Sequence, residues 1–353
     1  MKKTIITILL LITFIPNIQA YTTSATSSIL IDATSNRIIH ANNINKIRSV
    51  ASISKIMTAI IAIESNKLND TVKIGKEIES SYGSGIYIKE GEEISLKDLV
   101  YGLMLRSGND AALAISTYVS GSEEEFVKEM NKKAKTIGMK NTTFNNSSGL
   151  DQKEGNYSTA YDMAILMSYA MKNKIFREIT KTKNYKVKTN LNYYNWTNKN
   201  KLLSLYKYTT GGKTGYTEKA KRTLVTSAKK GSLELIAVTL NDGDDWNDHQ
   251  KLYEEAFEEY KNYRILKKGN INILNESHYE NSQLYVKNDF SYPLLNSEKN
   301  NIILKFTLKK LTSFKDNEEV GKVIVKIGDK QIYEDKVYVK KKETQKKIFG
   351  FIK

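Results

Sequence analysis

Apolar residues recur at helical spacing in several stretches and form strand-like runs on either side of them. From Ser52 to Ser65, the residues Ile53, Ile56, Met57, Ile60, Ile61 and Ile63 cover nearly the whole circumference of a helix, which predicts one buried on all sides. Ser95 to Tyr118 is helical but broken at Ser107-Gly108-Asn109. Glu123 to Ile137 predicts an amphipathic helix closed by Gly138, and Thr159 to Met171 a further helix. The β-like runs Ser28 to Ala33 and Arg37 to Ala41 turn through Thr34-Ser35-Asn36. Two more, Lys221 to Lys230 and Leu233 to Leu240, turn through Gly231-Ser232 and precede a helix from about Asn247 to Tyr263. Strands at both ends with helices between them predict a mixed α/β domain whose terminal segments meet in one sheet. Past Arg264 the pattern shortens to alternating segments such as Asn301 to Phe306 and Gly321 to Ile327, the signature of a small all-β domain.

A chain of 353 residues exceeds what one hydrophobic core usually organises, so two domains are expected. The first twenty residues, Met1-Lys2-Lys3 followed by an apolar run from Ile5 to Ile15 and Pro16 to Ala20, have the layout of a secretory signal cleaved after Ala20. The apolar run is short for a membrane span. The expected division is a leader over 1–20, a main domain over 21–265, a β-rich domain over 266–342 and a tail over 343–353. The absence of Cys excludes disulfides, a thiol nucleophile and thiolate metal sites. The formal charge of +16 becomes 16 − 2 = +14 once Lys2 and Lys3 leave with the leader, and favours anionic partners. Export points to lipid headgroups or wall polymers rather than nucleic acid.

Ser52-Ile53-Ser54-Lys55 holds Ser-x-x-Lys. Residues three apart share a helix face, so the Ser52 hydroxyl and the Lys55 amine come within reach, and burial suits a lysine to act as a base. Spacing alone marks nothing, because Ser204 with Lys207 and Ser227 with Lys230 match it too. Ser107-Gly108-Asn109 breaks a helix and would present a hydroxyl and an amide to a cleft. Lys213-Thr214-Gly215 follows Gly211-Gly212 and is no phosphate loop, since position 207 is Lys where that motif needs Gly. His40, His249 and His278 lie far apart and there is no Gly-x-Ser-x-Gly, which leaves a Ser-His-Asp hydrolase without support. The acidic run Asp242, Asp244, Asp245, Asp248 with His249 lacks calcium-loop spacing and is expected to be a solvated loop capping the next helix.

Ser-x-x-Lys, Ser-x-Asn and Lys-Thr-Gly in this order resemble the active-site set of penicillin-recognising serine enzymes. The separations, 55 residues from Ser52 to Ser107 and 106 from Ser107 to Lys213, are similar to those of serine-type D-alanyl-D-alanine carboxypeptidases, the low-molecular-mass penicillin-binding proteins. Gly83-Ser84-Gly85-Ile86-Tyr87, Gly138 to Phe144, Ser148-Gly149-Leu150-Asp151 and Ser158 to Met163 look like landmarks of that family. The resemblance spans about residues 24 to 265 and, more loosely, the β-rich segment.

The resemblance implies a mixed sheet flanked by helices with a smaller C-terminal all-β domain. It implies removal of the terminal D-alanine from peptidoglycan stem peptides without a cofactor, and inhibition by β-lactams. By the same resemblance Ser52 is the nucleophile, Lys55 its base and Ser107 a proton relay. Asn109, Lys213, Thr214 and Gly215 bind substrate, and the backbone N–H groups of Ser52 and Tyr216 form the oxyanion hole. Some relatives carry His at the positions of Ser148 and Tyr216. The C-terminal mixture of Lys and apolar residues from Lys340 to Lys353 is similar to the family's membrane-associating tail. The rival readings are a serine β-lactamase, which needs an extra carboxylate for deacylation, and a non-catalytic penicillin sensor or wall-binding protein.

Overall fold

The computed structural model describes residues 22–151, 154–274 and 276–341; the expected leader over 1–20 and tail over 343–353 lie outside them. A five-stranded antiparallel sheet organises the first part. Its strands are β1 (Ser27–Asp32) and β2 (Ile38–Asn42) from the start of the chain, and β3 (Thr209–Thr217), β4 (Lys221–Lys230) and β5 (Leu233–Leu240) from much later. The spatial order β2-β1-β5-β4-β3 brings the two terminal segments together as expected, with Ile29 opposite Val238.

Both faces of the sheet are covered, so every residue of β1 and β5 is buried, including the polar Ser27, Ser28, Asp32, Glu234 and Thr239. On β5, Ile236, Val238 and Leu240 pack into the helical core, while Leu235 and Ala237 alternate onto the opposite core under the helix Asp245–Glu259. The helical side is built from α1 (Lys55–Glu64), α2 (Leu96–Arg106), α3 (Asn109–Ser120), α4 (Glu123–Thr136), α5 (Ala160–Ala170) and α6 (Lys174–Lys181). Caps set their starts: Ser95, Ser122 and Thr159 each accept the backbone N–H three residues on, at 3.0, 3.2 and 3.0 Å.

Two element boundaries differ from the sequence expectation. Ser52 belongs to a 3₁₀ turn, Ala51–Ser54, and the α-helix begins only at Lys55. The last helix of the first part, α7, runs Asp245–Glu259, and Tyr260–Leu266 is a strand, β6. Leu252, Tyr253, Ala256, Phe257 and Tyr260 keep a helical spacing across this boundary, so periodicity overruns it. Pairing of β6 with β8 (Phe290–Leu295) decides the conformation instead.

The C-terminal β domain is a second five-stranded sheet in the order Gly269–Asn270, β7 (Ser282–Val286), β11 (Lys330–Lys341), β10 (Glu318–Ile327), β9 (Ile302–Leu308), around its own core of Val286, Val320, Val323, Val325, Val337 and Val339. One arginine joins the two parts. Arg37 forms a two-pronged ion pair with Glu298 at 2.6 and 2.9 Å, donates to Pro293 O, and lies over the rings of Tyr260 and Tyr292.

Candidate active site

The chain enters the site through Val50 and turns sharply at Ala51, whose φ of 50° is left-handed, a conformation that costs a residue with a Cβ about 1–3 kcal/mol. Two contacts hold the turn: Val50 N–H donates to Asn156 O at 3.1 Å and Thr223 Oγ1 donates to Val50 O at 3.1 Å. In the 3₁₀ winding that follows, residues three apart eclipse one another, so Lys55 Nζ sits 3.1 Å from Ser52 Oγ. The other serine of the motif is turned away, its Oγ donating to Ala51 O at 2.9 Å.

Lys55 is fully buried. Its amine donates to Asn109 Oδ1 at 2.6 Å and to the carbonyl of Ser148. Those two acceptors match the two N–H groups of a neutral amine and leave its lone pair for the Ser52 hydroxyl. Thr58, one turn along α1, donates to Ser147 O at 2.6 Å, so one helix face grips two successive carbonyls of the loop that roofs Ser52.

The helix break lies across from this turn. Ser107 adopts φ 64° between α2 and α3 and is 4% exposed; Asn109 opens α3 and donates through Nδ2 to Tyr82 O at 2.6 Å. Asp110 accepts the N–H groups of Ile86 and Tyr87 at 3.0 and 2.6 Å, tying the segment around Gly83-Ser84-Gly85 to the start of α3. The third wall is β3, an edge strand. Lys213, 1% exposed, sends Nζ to Ser107 Oγ at 3.0 Å and to Thr214 O at 2.7 Å. A Cβ at Gly215 would lie 2.4 Å from Thr223 Oγ1 and 3.0 Å from the backbone nitrogen of Ser52, so only glycine lets the strand pass this close to Ser52. Thr214 is half-buried, and Tyr216 stands at the rim with 63% of its surface exposed.

Burial, followed by the positive charge of Lys199, lowers the Lys55 amine to about 7, with Asp110 opposing. Burial first, then Lys55 and Lys199, holds Lys213 well below the ordinary lysine value. Lys199, which donates to Ser84 Oγ at 3.0 Å, is thus the outside cation acting on both amines.

The model of the family described as D-alanyl-D-alanine carboxypeptidase matches residues 15–244, and that of the penicillin-binding protein 5 C-terminal domain matches residues 260–345. The chain belongs to the D-alanyl-D-alanine carboxypeptidase family. It is 34% identical over 345 residues to D-alanyl-D-alanine carboxypeptidase DacF of Bacillus subtilis, covering 93% of this chain and 87% of that one. It is 31% identical to D-alanyl-D-alanine carboxypeptidase DacD of Escherichia coli, covering 87% and 84% of the two chains. The crystal structure of penicillin-binding protein 6B from Escherichia coli superposes with a TM-score of 0.72 at 27% identity, over 90% of this chain and 96% of that one.

The structure brings the sequence-predicted Ser52, Lys55, Ser107, Asn109 and Lys213 together, but sequence reasoning missed the groups that brace them. Lys199 has no spacing relation to any motif. Asp151 accepts Ser49 Oγ at 2.7 Å and the Thr217 hydroxyl, linking the roofing loop to the short strand Arg48–Ser49 before Ser52 and to the end of β3. Its only sequence signal was its place in Ser148-Gly149-Leu150-Asp151. The acidic run corrects most of the expectation of a solvated loop: Asp244, at the N-cap of α7, is exposed, but Asp242, Asp245, Asp248 and His249 are all at least nine-tenths buried. Asp248 accepts Ser24 N–H at 2.6 Å and Asp245 pairs with Arg222. His249, which burial lowers to about 3, lies between Thr226 and Thr239 at 2.7 and 3.1 Å. The cluster therefore fastens the start of the chain and α7 to the sheet. Among the described residues no group of His, Cys, Asp and Glu is arranged to hold a metal ion.

Proposed function

We propose that this protein is a serine D,D-carboxypeptidase that removes the terminal D-alanine from peptidoglycan stem pentapeptides through an acyl-enzyme on Ser52. The observation that carries the reading is the pairing of Ser52 Oγ with a buried amine whose two N–H groups already have fixed acceptors. Ser52 Oγ attacks the carbonyl carbon between the two D-alanines while its proton passes to Lys55 Nζ. The oxyanion that forms is stabilised by the N–H groups of Ser52 and Tyr216, each such donor being worth about 2.7–4 kcal/mol. The C–N bond then breaks as Ser107 relays the proton held on Lys55 to the departing amine; a water that gives its proton to Lys55 then cleaves the ester, and Lys55 returns that proton to Ser52.

Lys213 and Thr214 receive the carboxylate of the leaving D-alanine, Gly215 lets β3 lie against the nucleophile, and Asn109 holds the substrate backbone. The incoming carboxylate supplies the negative charge that draws a proton onto Lys213. The resulting cation keeps Lys55 deprotonated for the attack. A β-lactam acylates Ser52 by the same route. Asp110 and Asp151 have their oxygens engaged by backbone and hydroxyl donors, so neither is placed as the free carboxylate that a β-lactamase needs for deacylation.

The segment 21–265 is the catalytic unit in this reading and 266–342 a spacer. A leader over 1–20 exports the chain, and the basic, apolar tail over 343–353 holds it to the outer face of the membrane. Incubation with a peptide ending in D-alanyl-D-alanine tests the proposal. Free D-alanine appears with the native protein and not with Ser52→Ala; stable acylation by penicillin with no D-alanine release identifies a sensor instead.

A further inference from the structure

The half-buried carboxylate of Asp151 holds two hydroxyls that belong to different parts of the chain. Ser49 Oγ donates to it, 2.7 Å from Oδ1 and 2.9 Å from Oδ2, and the Thr217 hydroxyl donates to Oδ2. The Thr217 oxygen in turn accepts Ala220 N–H at 3.0 Å, which leaves its proton for Asp151. A carboxylate only accepts, so one such group receives both protons at once, and its charge makes both bonds strong.

What these hydroxyls adjoin gives the bridge a purpose. Ser49 stands three residues before Ser52, across the left-handed turn at Ala51, and Thr217 directly follows Tyr216 at the end of β3. The two segments already lie close, since a Cβ at Gly215 would be 3.0 Å from the backbone nitrogen of Ser52. Thr223, opposite Gly215 on β4, ties β4 to Val50 O at 3.1 Å. Asp151 adds a second tie one step further out, where β3 is an edge strand with no neighbour on its free side. Oxyanion donors must sit about 2.7–3.1 Å from the charge that develops, so the gap between two donors on separate segments has to be fixed from outside.

We propose that Asp151 is a positioning residue for the oxyanion hole, an inference that rests on the carboxypeptidase reading. By gathering Ser49 and Thr217 on one carboxylate it sets the separation of the Ser52 and Tyr216 N–H groups. It acts through its hydrogen bonds and not through its charge. Asparagine can therefore replace it: Oδ1 takes the Thr217 proton, and Nδ2 donates to the Ser49 oxygen once that hydroxyl rotates. Alanine can do neither.

The test uses the full chain and two ligands, benzylpenicillin and a D-alanyl peptide analogue with a boronic acid in place of the scissile carbonyl, on which Ser52 forms a tetrahedral anion. In Asp151→Ala the rate constant for acylation by penicillin should fall by about a hundredfold, the usual cost of a misplacement near 1 Å. The dissociation constant of the complex before acylation should stay within about threefold, and boronate affinity should fall in proportion to the acylation rate. Asp151→Asn should recover to within about fivefold of the native protein on both measures. Thr217→Val, which cuts only the β3 arm, should repeat the alanine pattern and Thr217→Ser should restore it; this pair decides the matter if Asp151→Ala does not fold. A loss confined to the initial complex, boronate affinity that does not follow acylation, or an asparagine variant as slow as alanine overturns the positioning role. A native chain that neither releases D-alanine nor is acylated overturns the carboxypeptidase reading itself, a result distinct from any of these.

Discussion

The chemistry proposed for Ser52 depends on a lysine held near neutrality. As pH falls through about 7, Lys55 takes up a proton and loses its lone pair, so kcat/KM for acylation should decline toward acid with a midpoint near 7. Lys55→Arg keeps the length and the charge but cannot lose a proton, and should lower D-alanine release by about a thousandfold with the fold retained. Near-native activity in that variant would remove Lys55 from the role of base. Lys199→Met takes away a cation that depresses both buried amines; the acid limb of the profile should move to higher pH, and an unmoved limb would contradict the role of Lys199. Ser52, Lys55, Ser107, Asn109 and Lys213 were legible because short motifs carry them. Lys199 was not, because it reaches the site through Ser84 from a loop that no local pattern connects to those motifs.

At the scale of elements, close approaches between backbones hold the site together. Gly149 has φ 81°, and a Cβ there would lie 2.1 Å from Ala51 O and 2.5 Å from Ser54 Oγ. Gly149→Ala should therefore displace the roofing loop from the turn at Ala51 and Ser52, costing about 2–4 kcal/mol in denaturant melts and most of the acylation rate. An unchanged melt would show that the loop does not brace the turn. The helix break at Ser107 and the meeting of the terminal strands were readable from apolar spacing. The 3₁₀ winding at Ser52 was not, since its apolar neighbours fit either helix and contacts from Asn156 and Thr223 set the winding. The strand at Tyr260 escaped for a related reason: its partner strand β8 begins thirty residues later, at Phe290.

At the scale of the molecule, Arg37, in the turn just before β2, clasps Glu298 of the β-rich part. Burial acts to raise the Glu298 carboxyl, but hydrogen bonds from Arg37 and Leu295 N–H, with the charge of Arg37, hold it below the ordinary glutamate value of 4.5. The pair thus stabilises the joint above that pH and is lost as pH falls below it. Arg37→Ala should bring out a separate, lower calorimetric transition for the β-rich part while changing D-alanine release from a small soluble peptide by less than about twofold. A single unchanged transition would show the joint to rest on other contacts. The two-part architecture was visible in the change of hydrophobic rhythm past Arg264. The clasp was not, because 261 positions separate its partners.

The central claim, that Ser52 forms the acyl-enzyme, is tested most directly by peptide mass spectrometry after brief exposure to benzylpenicillin, with D-alanine release measured alongside. The predicted result is a penicilloyl mass on the peptide containing Ser52, lost together with D-alanine release in Ser52→Ala. An adduct on another serine, or D-alanine release that survives Ser52→Ala, would contradict it.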